Sequence, residues 1–131
     1  MILLDTDICI EYLRGNKKLS TKLESENVVY GISFMTLCEL NYGAYNSPRV
    51  DYHLSQVNQL AGILEVIHSD QLICETFGSL KSNLKTKGTL IQDADILIGA
   101  TAMIRADLLV TGNVAHFDRF EEFGLKIENW L

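Results

Sequence analysis

The run Ile2-Leu3-Leu4-Asp5-Thr6-Asp7 decides the fold. Three consecutive apolar residues that stop abruptly at an acid read as a short strand buried on both faces, with Asp5 at its end. Working outward, the chain alternates between elements. Residues 7–14 place Ile8, Tyr12 and Leu13 at helical spacing, and Gly15-Asn16 ends that turn. Residues 17–26 read as a short polar helix. Residues 28–34, VVYGISF, are β-branched and aromatic and predict a second strand. Thr36 is expected to cap a helix running to about residue 46, with Glu39 at the capping-box position three residues later. Ser47-Pro48 breaks it, and residues 49–63 form a further helix before a short strand at 64–67. Ser69 or Asp70 caps a helix reaching about Thr86, which Gly88 ends. Asp93 is expected as the N-cap of an apolar, Ala-rich helix over 94–105. Residues 108–111 are strand-like, Gly112-Asn113 turns the chain, and 126–128 can form a last strand. Strands alternating with helices predict an α/β fold of three layers, a mainly parallel central sheet flanked by helices.

The length, 131 residues, fits a single domain over 1–131. With 47% apolar residues the chain can build its own core. Eleven basic against 17 acidic residues give a net charge of −6. That excludes a protein that holds nucleic acid by bulk positive charge alone. It leaves room for one whose carboxylates carry metal ions. Cys9, Cys38 and Cys74 are odd in number, lie far apart and form no C-x-x-C, so they are expected to be reduced core thiols. No apolar run approaches a membrane span, and MILLDTD lacks the features of a signal peptide. A cytoplasmic location is expected.

The acids stand out because of where they fall. Asp5 closes a buried strand, at the edge where parallel sheets put their ligands; it is equally suited to cap the following helix. Glu39 lies among apolar neighbours in Met35-Thr36-Leu37-Cys38-Glu39-Leu40. Asp93 and Asp95 flank Ala94 at the start of the most apolar helix. Residues two apart on a helix point roughly 200° apart, so one is expected to cap the helix and the other to project from its first turn. Asp95 precedes Ile96, Leu97 and Ile98, and a charge entering that stretch needs a partner. Acids converging from separate elements repel one another unless a cation sits between them. Hard oxygen ligands suit Mg²⁺ or Mn²⁺. His53, His68 and His116 show no zinc spacing.

Four stretches in register resemble the PIN-domain nucleases, specifically the VapC toxins of prokaryotic toxin–antitoxin pairs. LLDTDICIEYLRGN (residues 3–16) is similar to that family's strand, first acid and following helix. ISFMTLCELNYGAYNS (32–47) resembles the second block, with Glu39 on the second acid. GTLIQDADILIGATA (88–102) resembles the third, with Asp95 on a catalytic acid and Asp93 on a frequently acidic position. LLVTGNVAHFDRFEEFGLKIENW (108–130) resembles the closing segment. The likeness implies a PIN fold and a metal-dependent endoribonuclease that cuts RNA, often transfer or ribosomal RNA. It further implies homodimers and neutralisation by a VapB-type antitoxin that inserts a segment into the acidic cleft. Asp5, Glu39 and Asp95 are then the catalytic and metal-binding acids, holding Mg²⁺, with Mn²⁺ as an alternative. Asp93, Thr111, Asn113 and His116 support them.

One departure stands in the closing segment. Many relatives carry an acid where this chain has His116, and Asp118 comes two residues late. His116 can ligate metal through a neutral nitrogen, contact a phosphate when protonated, or be a plain surface residue. Substrate grip must come from few cations: Arg14, Lys17, Lys18 and Lys22 after the first acid, and Lys81, Lys85 and Lys87 on and beyond a later helix. Ordinary solvated helix faces explain the same residues. Tyr12, Tyr42 and Tyr45 can stack bases or pack at a dimer contact, although Tyr42 and Tyr45, three apart on a helix, suit packing better. Three other readings compete. D-x-D after a strand also begins an aspartate-nucleophile phosphatase, which needs a further lysine and a later acidic pair. A phospho-acceptor domain needs an acceptor Asp after a third buried strand. A catalytically weak PIN-like domain would bind RNA or a partner without cutting.

Overall fold

A computed structural model describes residues 1–24 and 27–131. Its strands are β1 (Ile2–Leu4), β2 (Tyr30–Ser33), β3 (Glu65–Ile67), β4 (Leu108–Val110) and β5 (Ile127–Glu128). The helices are α1 (Thr6–Leu13), α2 (Lys17–Leu23), α3 (Phe34–Tyr45), α4 (Val50–Ile63), α5 (Gln71–Thr86), α6 (Asp93–Arg105) and α7 (Val114–Phe117), followed by a 3-10 helix at Asp118–Phe123. The strands form one sheet in the order β3-β2-β1-β4-β5, every pairing parallel. The three-layer α/β expectation therefore holds. From β1 the chain builds outward through β2 and β3, then returns to pair β4 on the other side of β1. The crevice outside the carboxyl ends of β1 and β4 is thus the topological switch point, where open α/β sheets bind ligands.

The strands are short, and their alternation sorts the core into two layers. Leu3 and Leu109 face one side with Ile73, Leu80, Leu84, Ile96, Phe117 and Phe120, all buried. Leu4 and Val110 face the other with Ile8, Leu19, Ile32, Leu40, Val57 and Trp130. Successive residues point to opposite faces of a sheet, so two neighbouring apolar residues per strand are needed to close both layers. Close packing demands glycine at Gly99, where a Cβ would stand 2.7 Å from the Phe120 ring. No helix among the described residues is long and apolar enough to cross a membrane.

Several local expectations are corrected. Residue 34 belongs to α3, not to the second strand, and Ser33 rather than Thr36 is the cap. Ser33 is extended, and its hydroxyl accepts from the Thr36 backbone N–H at 3.0 Å. The helix therefore starts three residues early, and Glu39 closes no capping box with Thr36. Gln92, without a side-chain cap bond, occupies the position expected for Asp93, so both Asp93 and Asp95 lie in the first turn of α6. There both favour the positive end of the helix dipole. Asp70 does cap α5, accepting from Ile73 N–H at 2.9 Å. The polar helix expected over 17–26 ends at Leu23, and residues 25 and 26 lie outside the described residues. Of the three cysteines only Cys9 is buried. Cys38 sits two residues from the buried Thr36 and Leu40, on the other side of α3, and Cys74 is one position round α5 from Ile73. Tyr42 and Tyr45 do not pack in the domain: the core stripe of α3 is Thr36, Leu40 and Ala44, which leaves them 70% and 67% exposed.

Candidate active site

Four chain segments meet outside the carboxyl ends of β1 and β4. Asp5 follows β1 directly and is 5% exposed. Its Oδ1 accepts from Thr6 N–H at 2.7 Å, the capping role one reading gave it. Its Oδ2 accepts from the Thr111 hydroxyl at 2.7 Å, across the switch point. Burial, then the Asp7 carboxylate, then Asp95 push the Asp5 carboxyl up to about 7, against the pull of its Thr111 and Thr6 bonds. Asp7 is also raised, by burial first.

Glu39 arrives from the second turn of α3. The Thr6 hydroxyl donates to Glu39 Oε1 at 2.7 Å and lies 3.1 Å from the Thr36 hydroxyl. A capping box would have turned Glu39 back on its own helix; the cap at Ser33 leaves it facing Thr6. Asp95 projects from α6, its side chain 18% exposed, with Oδ2 2.8 Å from His116 Nδ1. The same Nδ1 lies 2.8 Å from Asn113 Nδ2. One ring nitrogen either carries a proton and donates to Asp95 or accepts from the Asn113 amide; it cannot do both. His116 is therefore not an unattached surface residue.

The bonds join the expected residues in sequence: Glu39 to Thr6, Thr6 N–H to Asp5, Asp5 to Thr111, and Thr111 to the Asn113 backbone N–H at 2.9 Å. The Asn113 side chain reaches His116, and His116 reaches Asp95. Asp93 lies outside this chain. It points to solvent and pairs with Lys81 Nζ at 2.8 Å. The 200° separation on α6 sends one acid outward and the other in. Sequence reasoning missed Thr6, Asp7 and Gly112. Asp7 Oδ2 accepts from Gly112 N–H at 2.9 Å, and the signal for it was available in the paired acids of Asp5-Thr6-Asp7.

The proposed cations are scattered. Arg14 pairs with Glu11, and Lys87 with Glu122. Lys22 lies over the Trp130 ring. Lys17 and Lys18 at the start of α2, and Lys85 on α5, are exposed. A groove of about 270 Å³ between α1, α3 and α4 opens beside Glu39, lined by Ile10, Leu13, Leu40, His53 and Val57. The larger cavity, about 510 Å³, lies at the opposite edge, near the starts of β2 and β3, and takes no part in the site.

The donor set fits a hard divalent cation. Its members are carboxylates with one imidazole and no thiolate, which suits Mg²⁺ or Mn²⁺ rather than zinc. Among the described residues Asp5, Asp7 and Glu39, the first buried and the others half-buried, have no cationic side chain as partner. No three His, Cys, Asp or Glu side chains among the described residues form a ready-made cage. Glu39 is instead turned into its bond with Thr6.

Comparison with known proteins agrees with this geometry. The PIN domain family matches residues 2–122. Ribonuclease VapC1 of Methanocaldococcus jannaschii is 34% identical over 96% of this chain and 85% of its own. The tRNA(fMet)-specific endonuclease VapC of Salmonella typhimurium is 32% identical over 98% and 96%. Among solved structures, VapBC2 from Rickettsia felis bound to a DNA fragment from their promoter contains a chain that superposes with a TM-score of 0.92 at 30% identity, covering 100% of both. With the acids, the parallel sheet and the switch-point site in place, the chain belongs to the PIN-domain family and, within it, to the VapC proteins.

Proposed function

We propose that this chain is an endoribonuclease toxin that hydrolyses phosphodiester bonds in RNA with Mg²⁺, or Mn²⁺ in its place, held by Asp5, Asp95 and Glu39. The observation that carries the reading is the run of hydrogen bonds from Glu39 through Thr6, Asp5 and Thr111 to Asn113, with His116 Nδ1 standing 2.8 Å from both the Asn113 amide and Asp95 at its end. Bound there, the ion supplies a water of lowered pKa and offsets charge developing on the phosphate. Thr111 and Thr6 N–H fix both oxygens of Asp5. The single Thr111 hydroxyl proton is committed to Asp5, so Thr111 orients that carboxylate rather than the attacking water. Thr6 occupies Glu39 Oε1 and leaves Oε2 to take the proton of the attacking water. His116 steadies Asp95 at the position where many relatives carry an acid.

RNA as substrate is supported by relatives spanning nearly the whole chain that are named a ribonuclease and a tRNA(fMet)-specific endonuclease. Transfer RNA is the first substrate to try. Exposed Lys17, Lys18 and Lys85 contribute phosphate contacts, while Arg14 and Lys81 must leave Glu11 and Asp93 to do so. A VapB-type antitoxin neutralises the toxin, its segment lying in the apolar groove that ends at Glu39. Support comes from solved relatives that are VapBC complexes. The toxin acts as a homodimer, which light scattering of the purified protein checks.

Purified protein incubated with total transfer and ribosomal RNA, with and without Mg²⁺, tests the central claim. Cleavage at mapped positions that stops with EDTA and in Asp95→Asn is expected. Cleavage by Asp95→Asn at the wild-type rate overturns the assignment.

A further inference from the structure

We propose that Asp7 is a positioning residue of this site, holding the turn at residues 111–113 in register with Asp5 through its bond to the Gly112 backbone. The inference rests on the nuclease reading above and deepens it. Each residue of the turn has one defined anchor. Thr111 donates its hydroxyl proton to Asp5 Oδ2 at 2.7 Å. Gly112 N–H donates to Asp7 Oδ2 at 2.9 Å. Asn113 N–H donates to the Thr111 hydroxyl at 2.9 Å, and its side chain reaches His116, the partner of Asp95. The middle anchor, Asp7, is not among the proposed ligands. It joins the start of α1 to the end of β4 across 105 residues of chain.

The packing around this bond is equally specific. Asp7 Oδ1 accepts from Ile8 N–H at 2.8 Å, which fixes the carboxylate so that Oδ2 faces the turn. A Cβ on Gly112 would stand 2.8 Å from that Oδ2 and 2.6 Å from Leu131 Cδ1. Leu131 is 46% exposed and can swing away, but the anchored carboxylate cannot. Any side chain at 112 therefore pushes against the bond itself. Lost, the bond frees the peptide that aims Thr111 at one metal-binding acid and Asn113 at the partner of another. Displacements of about an ångström in such a group cost rate rather than affinity, of order 100-fold.

Three variants of the full chain test this: Asp7→Ala, Asp7→Asn and Gly112→Ala. Asn keeps one acceptor oxygen, which serves Gly112 N–H only by giving up Ile8 N–H, so it removes the charge and that second bond while sparing the bond to the turn. With Mg²⁺ and bulk transfer RNA, Asp7→Ala and Gly112→Ala are expected to lower kcat about 10- to 100-fold with KM within about threefold. Asp7→Asn is expected to recover most of that loss. Amide hydrogen exchange at Gly112 gives a readout independent of cleavage: exchange speeds up in Asp7→Ala and stays slow in Asp7→Asn. If all variants cut RNA like the wild type, or if Asp7→Asn is as slow as Asp7→Ala, Asp7 does not act through this bond. If the wild type cuts no RNA, the nuclease reading fails, and the exchange pattern alone decides whether Asp7 holds the turn.

Discussion

Asp5 and Asp107 stand at opposite ends of the β1–β4 pair and behave in opposite ways. Asp107 precedes β4 at the amino edge of the sheet, 87% exposed, with Oδ2 2.6 Å from the N-terminal ammonium. That bond and charge hold its carboxyl below the usual range. Asp5 ends β1 at the carboxyl edge, almost fully buried, and burial with the neighbouring Asp7 charge raises it to about 7. The residue type and the strands are the same; the surroundings differ. At one edge water and a cation settle the charge. At the other the fold gathers acids, and among the described residues Asp5 and Asp7 have no cationic partner, an arrangement that costs stability.

The strongest way to break the contrast is to neutralise the carboxyl edge. Asp5→Asn and Asp95→Asn should each lower RNA cleavage by about a thousandfold or more, the several kcal/mol of lost charge stabilisation expressed as rate. Circular dichroism should show both variants folded. Wild-type turnover in either would remove the site from this edge.

The stability of the metal-free protein sharpens it next. Asp5 binds its proton more tightly folded than unfolded, so the native state holds more protons between about pH 4 and 7. Its contribution is fully present below pH 4 and is lost as pH rises through about 7, up to roughly 4 kcal/mol. Melting in EDTA across that window should show the decline. Asp5→Asn should flatten it and raise the melting temperature at pH 8. Millimolar Mg²⁺ or Mn²⁺ should restore the wild type there. A wild-type melting temperature that climbs from pH 4 to 8 without metal would contradict the burial argument.

Away from both edges, Gly99→Ala drives a methyl into the Phe120 ring. It should cost about 1–3 kcal/mol in urea titrations and leave cleavage per folded molecule unchanged. The exposed acids give the smallest effects. Asp93→Asn loses one solvent-exposed pair with Lys81, worth at most about 1 kcal/mol, and should keep cleavage within about threefold. Asp107→Asn should shift melting less than any variant named here and leave its pH dependence intact.

How far the sequence reached depended on the range of the forces involved. The α/β class, the strand ending at Asp5 and the cap at Asp70 follow from local apolar patterning and capping chemistry, which neighbouring residues determine. The acids were legible because a carboxylate inside an apolar run has no local solution. Two local choices misled: Thr36 over Ser33 as cap, and Asp93 over Gln92. In each, two nearby residues offered nearly equal local energies, and packing against the sheet chose between them.

The sequence by itself determined the alternation of strands and helices, the buried first strand that ends at Asp5, and which acids fall inside apolar runs. Only the tertiary structure decided that Thr6 faces Glu39, that His116 Nδ1 stands 2.8 Å from both Asp95 and Asn113, and that Asp7 grips the backbone of Gly112. Those contacts join positions from 3 to 105 residues apart, most of them remote. Hydrogen bonds form only within about 3 Å and in the right direction. No periodicity along the chain encodes such distances; the strand order and the packing of α3 and α6 on the sheet set them.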